Sequence, residues 1–159
     1  MGVKSLTRPS AKPPQHKLLY DQDFAVWTQQ TARLLRAGRF TEIDIESLAE
    51  EVEDMGKRDR DEAHSRLRVL LAHLLKWQQQ PEKRSRSWRS TIATQRVELG
   101  QVFRRSPSMM RVLDESLAEI YFDAVEQAAI ETGLPADSFP RDCPFSVQQI
   151  LDRAFPGGD

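Results

Sequence analysis

A basic segment with two tryptophans, residues 76–105, carries the clearest binding chemistry in this sequence. Eight of its residues are lysine or arginine and two are acidic, a local net charge of +6. Arginine can hold phosphate oxygens with paired N–H groups, and indole rings can stack on bases, a combination typical of proteins that bind single-stranded nucleic acid. The candidate anion-binding residues are Trp77, Lys83, Arg84, Arg86, Trp88, Arg89 and Arg96.

The positive charge of this segment could instead be neutralised within the chain. Residues 42–62 contain ten acidic and three basic residues, and residues 111–131 contain six acidic residues and one arginine. A bundle that packs a basic helix beside acidic ones needs no ligand, and the two indoles also fit helical core positions. Internal neutralisation is the preferred interpretation, and nucleic-acid or phosphate binding is the alternative.

A second candidate is a polar cluster of carboxylates and one imidazole. Glu46, Glu50 and Asp54 follow at intervals of four, so they share one helical face and could hold a divalent metal or act as acids. His73 lies in an apolar run beside Lys76 and could transfer protons. The cluster candidates are Glu50, Asp54 and His73. Solvated acidic faces and satisfied core histidines are the commoner outcomes of such patterns.

The sequence predicts no metal, no cofactor and no catalytic residue. Metal sites in helical bundles usually use a Glu-x-x-His motif, which this sequence lacks, and His64 and His73 lie nine residues apart rather than four. Cys143, the only cysteine, precedes a proline in an irregular segment and is expected to be a packing residue. Glycine-rich phosphate loops and nucleophile elbows are absent from the sequence as well.

Composition and charge restrict the class of protein. A chain of 159 residues with 39% hydrophobic and 30% charged residues is typical of one globular domain. Its net charge of −1 argues against a protein that coats nucleic acid or an anionic membrane with its whole surface. No apolar stretch approaches the ~20 residues of a bilayer span, and prolines interrupt the N-terminus where a secretory signal needs an apolar run. We expect a cytoplasmic protein without a membrane partner.

Helices must position these candidates. Spaced apolar residues predict an all-α fold, a helical bundle of four to five main helices plus a short C-terminal helix. Residues 1–19 lack apolar periodicity and are predicted to form a flexible, basic, proline-containing tail, followed by a single helical domain over residues 20–159. The first helix is expected to start after an N-cap at Asp21 and to end at Gly38.

A second helix is predicted to begin near Asp44, and a leucine-rich core helix to end at Gln80, because Pro81 disfavours helical geometry in the residue before it. The second helix has an apolar face of Ile45, Leu48, Ala49, Val52 and Met55. One helix through both series would be ~55 Å long, more than the roughly 40 Å of a compact domain of this size. We therefore expect a bend within residues 56–62; the alternative is one protruding helix covered by a second copy.

Two further long helices follow. Ser85 or Ser87 would cap the third, and Ser106, followed by a proline, would start a fourth that ends near Gly133. Ser146 could cap the short last helix. A second apolar stripe on the fourth helix, which predicts packing between neighbours, consists of Phe122, Val125 and Ala129.

Several sequence motifs match those of one protein family. The most specific is Leu70-Leu71-x-His73-Leu74-Leu75-Lys76-Trp77-Gln78-x-Gln80-Pro81 followed by Arg86-Ser87-Trp88. Others are Tyr20-Asp21-x-Asp23-Phe24-x-x-Trp27, Leu34-Leu35-Arg36-x-Gly38-x-Phe40, Leu48-x-Glu50-Glu51 followed by Gly56, and Phe139-Pro140-x-x-Cys143-Pro144. Through these motifs the chain, from Tyr20 to about Phe155, resembles the bacterial helical proteins grouped as domain of unknown function 29. The resemblance implies an all-helical fold and a bacterial, cytoplasmic setting, and no established activity.

The sequence therefore favours a non-enzymatic helical module for protein–protein interaction, with self-association into a homodimer as one form of it. The alternative is a nucleic-acid or phosphate-binding protein that uses the basic segment. The third possibility is a metal-dependent enzyme built on the cluster of Glu50, Asp54 and His73, which requires the fold to bring a glutamate beside that imidazole.

Overall fold

Helices account for nearly all of the regular structure in this chain. The structure, a computed structural model, describes the backbone of residues 15–156 and the side chains of residues 19–156. Within these residues there are seven α-helices and no strand. The predicted all-α bundle of four to five main helices with a short C-terminal helix is confirmed. Residues 1–14 of the predicted tail lie outside the described residues.

The chain divides into two compact units, residues 1–55 and residues 56–159. In the first unit, α1 (Gln15–Gln22) precedes α2 (Phe24–Arg36), and a 3-10 turn (Phe40–Glu42) leads into α3 (Ile45–Gln79). Helix α1 includes residues 15–19, which the sequence pattern had assigned to the tail. The single domain expected over residues 20–159 stays a prediction.

The ends of α2 are set by local hydrogen bonds. Its N-cap is Asp23, whose Oδ1 accepts a hydrogen bond from the backbone N–H of Val26 at 3.0 Å. The predicted N-cap at Asp21 is wrong, because that residue lies inside α1. At the other end Gly38 adopts a φ of 70°. The N–H groups of Gly38 and Arg39 donate to carbonyls of the last turn at 3.1 and 3.0 Å, so the helix ends as predicted, in a Schellman motif.

Helix α3 is a single helix of 35 residues that continues through Gly56. The expected bend in residues 56–62 does not interrupt the helix. The length argument failed because it assumed one compact unit, whereas α3 contributes residues to both units. A single glycine in a helix interior costs only about 1 kcal/mol, so it does not stop a long helix by itself.

The first turns of α3 expose most of the apolar face that the sequence pattern identifies. Ile45, Val52 and Met55 are 57%, 60% and 64% exposed, and Ala49 is exposed beside them. We call these four residues the outer strip of α3. The buried residue of these turns is the polar Ser47. Among the described residues, the strip is therefore left in contact with water.

Aromatic side chains and one hydrogen bond organise the first unit. The rings of Tyr20, Phe24 and Trp27 contact one another at centroid distances of 4.9 to 6.0 Å. The phenol of Tyr20 donates to Oε1 of Glu51 at 2.7 Å. This hydrogen bond, together with partial desolvation and nearby carboxylates, raises the pKa of Tyr20 to about 12. The hydrogen bond joins α1 to α3 within the first unit.

The main core lies in the second unit, around the leucine-rich half of α3. It is joined by α4 (Arg86–Arg105), α5 (Met109–Glu115), α6 (Leu117–Thr132) and α7 (Val147–Leu151). Ser85 caps α4, and its hydroxyl accepts from the Trp88 N–H at 3.3 Å. The most deeply buried large side chains of this core include Leu67, Leu70, Leu71, Leu74, Leu75, Leu99 and Leu113.

The predicted fourth helix is divided into α5 and α6 at Ser116. Ser106 does not cap it, because α5 begins only at Met109 and the Ser106 hydroxyl donates to Asp59 of α3 at 2.6 Å. The second apolar stripe is only partly covered, since Phe122 is 71% exposed. That part of the packing prediction is wrong.

The chain ends as the sequence predicted. Gly133, with a φ of 72°, terminates α6. Ser146 and Gln149 form a capping box at the start of α7. Phe155 then contacts Phe145 with ring centroids 5.2 Å apart, which returns the last described residues to the core of the second unit.

Candidate functional site

A cleft of about 430 Å³ in the second unit collects residues from α3, α4 and the segment after α7. Three of the predicted anion-binding residues line it: Trp77, Arg89 and Arg96. Phe155 lines it too, as does Arg153, which sequence analysis did not single out. The lining thus contains three arginines and no acidic residue. We call this feature the arginine cleft.

Arg96 is the buried cation of the arginine cleft. It is 9% exposed, and its Nε donates to the carbonyl of Ile150 at 2.8 Å. Its Nη2 is buried and has no hydrogen-bond partner among the described residues. Burial lowers the pKa of Arg96 from its usual range, although the charge of Asp152 opposes that shift. The guanidinium remains protonated at neutral pH because its intrinsic pKa is so high.

Trp77 lies beside the arginines, with its ring hidden from solvent. It is 4% exposed, and the guanidinium carbons of Arg84 and Arg89 lie 5.0 and 5.6 Å from the ring centre. Arg84 also donates from Nε to the Trp77 carbonyl at 2.9 Å. A base cannot stack on a ring buried in this way. The indole N–H is buried as well and has no acceptor within the described part of the chain.

The second tryptophan, Trp88, covers an ion pair. The Nζ of Lys76 lies 4.6 Å from the centre of the Trp88 ring and donates to Oε2 of Glu131 on α6. Partial burial acts to raise the pKa of Glu131, but hydrogen bonds from Lys76 and Gln127 outweigh it and lower that pKa. Trp88 is half-buried, so its role in this structure is to shield a charge pair.

The basic segment is neutralised only in part. Lys76 pairs with Glu131, and Arg105 pairs with Asp59 at 2.6 Å. By contrast, the exposed residues Lys83, Arg84 and Arg86 have no ion pair with any carboxylate among residues 19–156. These three side chains therefore do not form the ion pairs with acidic helices that full internal neutralisation requires. These three cations of the segment therefore face solvent.

The residues of the predicted polar cluster lie in different units. Glu50 and Asp54 belong to the first unit, where their charges act on Tyr20. His73 belongs to the second unit, and the glutamate that acts on it is Glu131.

The imidazole of His73 is held in one tautomer. Its Nδ1 lies 2.9 Å from the carbonyl of Val69, and because a carbonyl only accepts, Nδ1 carries the proton. Burial is the main cause that lowers the pKa of His73, and Lys76 adds to it; the Val69 hydrogen bond and Glu131 act in the opposite direction. The imidazole is therefore neutral at neutral pH.

The acidic and thiol side chains of the described residues form neither a metal-binding cluster nor an activated thiol. No group of three or more histidine, cysteine, aspartate or glutamate side chains there is arranged to hold a metal ion. Burial raises the pKa of the Cys143 thiol, which keeps it protonated. Cys143 packs against the core of the second unit.

The outer strip of α3 has acidic neighbours. Glu46, Glu50 and Glu53 are exposed on the same turns, and within the described residues none of them forms an ion pair. The strip is thus an apolar surface flanked by negative charge.

Sequence reasoning missed Arg153 because the residue contacts the cleft from a distant part of the chain. Arg153 lies two residues after the end of α7 and two residues before Phe155, and no motif marks this position in the sequence. It missed the outward orientation of the α3 strip because apolar spacing identifies a face and not what covers that face.

Comparisons with known proteins place the chain in a family of undescribed activity. No helix among the described residues is long and apolar enough to cross a membrane. No curated protein and no solved structure matches the chain. The model of one family, described as domain of unknown function DUF29, matches residues 19–156. Because that match covers most of the chain, the protein belongs to the DUF29 family.

Proposed function

We propose that this protein is a non-enzymatic interaction module of the bacterial cytoplasm that self-associates through the outer strip of α3. The observation that carries the proposal is the exposure of Ile45, Val52 and Met55 on one helical face. A regular apolar face on a helix normally packs against a partner, and leaving three such side chains in water forgoes roughly 1.5–3 kcal/mol for each. Among residues 19–156, whose side chains are described, none covers these three side chains.

Charge complementarity favours a second copy of the chain as the partner. The strip is flanked by Glu46, Glu50 and Glu53, which have no ion pair in the described residues. The basic segment of the same chain presents exposed cations that form no ion pair within the described residues, among them Lys83, Arg84 and Arg86. Two copies can therefore place the acidic turns of one against the basic segment of the other, and symmetry repeats the contact.

Sedimentation velocity over a range of protein concentrations tests this proposal. The substitution Val52→Glu places a charge in the strip, and we expect it to weaken self-association on the order of tenfold or more. Ile130→Glu is the matched control, because Ile130 is 77% exposed on α6 and lies outside the strip. A wild-type chain that remains monomeric at every concentration, or equal effects of the two substitutions, would contradict the proposal.

A charge-reversal experiment distinguishes specific pairing of the acidic turns with the basic segment from nonspecific association. Replacing Glu46, Glu50 and Glu53 by lysine should weaken self-association because positive charges then oppose one another. Mixing this variant with a second one, in which Lys83, Arg84 and Arg86 are glutamate, should restore association. If the mixture associates no better than either variant alone, the acidic turns and the basic segment do not meet.

A second candidate function is binding of nucleic acid by the basic segment. The observation in its favour is that Lys83, Arg84 and Arg86 are exposed without carboxylate partners among the described residues. Binding would be mainly to phosphates, since the ring of Trp77 is buried. Titration with a single-stranded oligonucleotide should then show an affinity that falls steeply with added salt. Absence of binding at low salt would exclude this candidate.

A further inference from the structure

The arginine cleft contains two buried hydrogen-bond donors that lack acceptors. Nη2 of Arg96 and Nε1 of Trp77 are both buried, both belong to residues that line the cleft, and neither has a partner among the described residues. A buried donor without an acceptor is costly, and a charged one more so, because it has lost its water and gained nothing. We propose that the arginine cleft binds a small organic anion whose carboxylate or phosphate oxygens accept from Arg96 and Trp77.

The charges around the cleft fit an anion. Arg89 and Arg153 are exposed and line the cleft together with the buried Arg96, and no acidic residue is among its lining residues. Asp152 acts on Arg96 through its charge, but it forms no ion pair with that guanidinium in the described structure. Three cations therefore converge on one volume. A ligand oxygen that reaches Arg96 would form charge-assisted hydrogen bonds, which are shorter and stronger than neutral ones.

The remaining wall selects a ligand with an apolar body. Ile92, Val97 and Phe155 contribute aliphatic and aromatic surface to the cleft. A volume of about 430 Å³ lies within the range typical of sites for small organic molecules. An inorganic ion would leave this apolar wall in contact with water. An anion that carries a ring or a short aliphatic chain would cover the wall while its charged end meets the arginines.

This inference does not depend on self-association, and it differs from nucleic-acid binding. Polymer binding would use the exposed cations Lys83, Arg84 and Arg86 along the surface, whereas the cleft uses N–H groups that are buried at Arg96 and Trp77. A mononucleotide that bound in the cleft would count as a small organic anion and not as evidence for binding of a nucleic-acid polymer. The two modes can therefore be separated by ligand size and by substitution.

Isothermal titration calorimetry of the full chain with a set of small probes tests the inference. The probes are benzoate and phenyl phosphate, which carry both an anion and a ring, inorganic phosphate, which lacks the ring, and benzyl alcohol, which lacks the charge. We expect saturable binding with one site per chain for one or both of the first two, and at least about tenfold weaker binding of the last two. The comparison of benzoate with phenyl phosphate identifies which anion the cleft prefers.

Substitutions locate the site. Arg96→Gln should weaken binding by on the order of tenfold to a hundredfold, as expected for losing a hydrogen bond from a charged donor. Because Arg96 also donates a hydrogen bond to the Ile150 carbonyl, that variant could be unstable, so Arg89→Gln and Arg153→Gln are measured beside it. Both of these residues are exposed. Each change should weaken binding about threefold to tenfold. Arg104→Gln is the matched control, since Arg104 is an exposed arginine of α4 outside the cleft. It should change the affinity less than twofold.

Three results would overturn the inference. The first is no heat of binding for benzoate or phenyl phosphate at low millimolar concentration. The second is binding of inorganic phosphate as tight as that of phenyl phosphate. The third is an equal loss of affinity in Arg104→Gln and in the cleft variants, which would indicate general attraction to a basic surface.

Discussion

Replacement of Gly56 by alanine tests whether α3 is continuous through the boundary between the two units. Gly56 lies inside a helix of 35 residues, and a Cβ built on it would meet no atom within 4 Å. Glycine in a helix interior destabilises by roughly 0.5–1 kcal/mol relative to alanine, because the unfolded glycine has more conformational freedom to lose. We therefore expect Gly56→Ala to raise the free energy of unfolding by about 0.5–1 kcal/mol, which corresponds to a rise in Tm of about 1–4 °C.

Gly100→Ala provides the matched control. Gly100 lies inside α4, and its added Cβ would be 3.8 Å from Nη1 of Arg104, an ordinary contact with a flexible side chain. It should stabilise by a similar amount. Both variants are compared with the wild type by urea unfolding followed by circular dichroism, at a concentration low enough to keep the chain monomeric. If Gly100→Ala stabilises while Gly56→Ala destabilises, then Gly56 is not in a regular, uncovered helix and our account of α3 is wrong.

Three further predictions concern groups whose ionisation is linked to folding. Glu131→Gln should lower the free energy of unfolding by roughly 2 kcal/mol because it leaves the buried Lys76 without its counter-charge. The double variant that also carries Lys76→Met should recover most of that loss. Urea unfolding of both variants checks this, and an unchanged stability in Glu131→Gln would refute it. His73 has a lowered pKa in the folded state, so the unfolded state binds the proton more readily and the free energy of unfolding should fall as the pH drops below 6.5. His73→Gln should flatten this dependence of stability on pH between neutral and mildly acidic pH. An unaltered slope in the variant would count against the prediction. The pKa of Tyr20 is raised to about 12 in the folded state, so its contribution to stability should be full below pH 10 and decline as the pH rises from 10 toward 12. Tyr20→Phe should remove that alkaline decline, which unfolding followed by circular dichroism measures. An identical decline in both proteins would argue against the hydrogen bond to Glu51.

The candidate site was partly accessible from the sequence. Trp77, Arg89 and Arg96 were identified from local charge and aromatic content alone, because their residue types and spacing are visible without a fold. Their roles were not accessible. The sequence left two roles open for the indoles, a core position or a surface on which bases stack, and the structure buries the ring of Trp77 and leaves its N–H without an acceptor in the described residues. Burial depends on neighbours from other helices, which spacing cannot supply.

The polar cluster shows a related limit. The sequence grouped Glu50 and Asp54 with His73 on the condition that the fold bring a glutamate beside that imidazole. In the structure the charge that acts on His73 comes from Glu131, on a helix more than fifty residues later. Proximity along a helix follows from its repeat, but proximity between helices follows from packing.

The sequence by itself determined the helical class, most helix ends and the leucines of the core, since these follow from local steric rules, capping groups and the 3.6-residue repeat. Ser85, Gly38, Gly133 and Ser146 act where their chemistry predicted. Only the tertiary structure decided that the α3 strip remains exposed, that α5 and α6 are separate, and that Arg153 joins Arg96 at one cleft. These outcomes depend on which surfaces are covered by segments distant in the sequence. The free energy gained by covering one surface rather than another depends on the whole packed chain and not on any one segment.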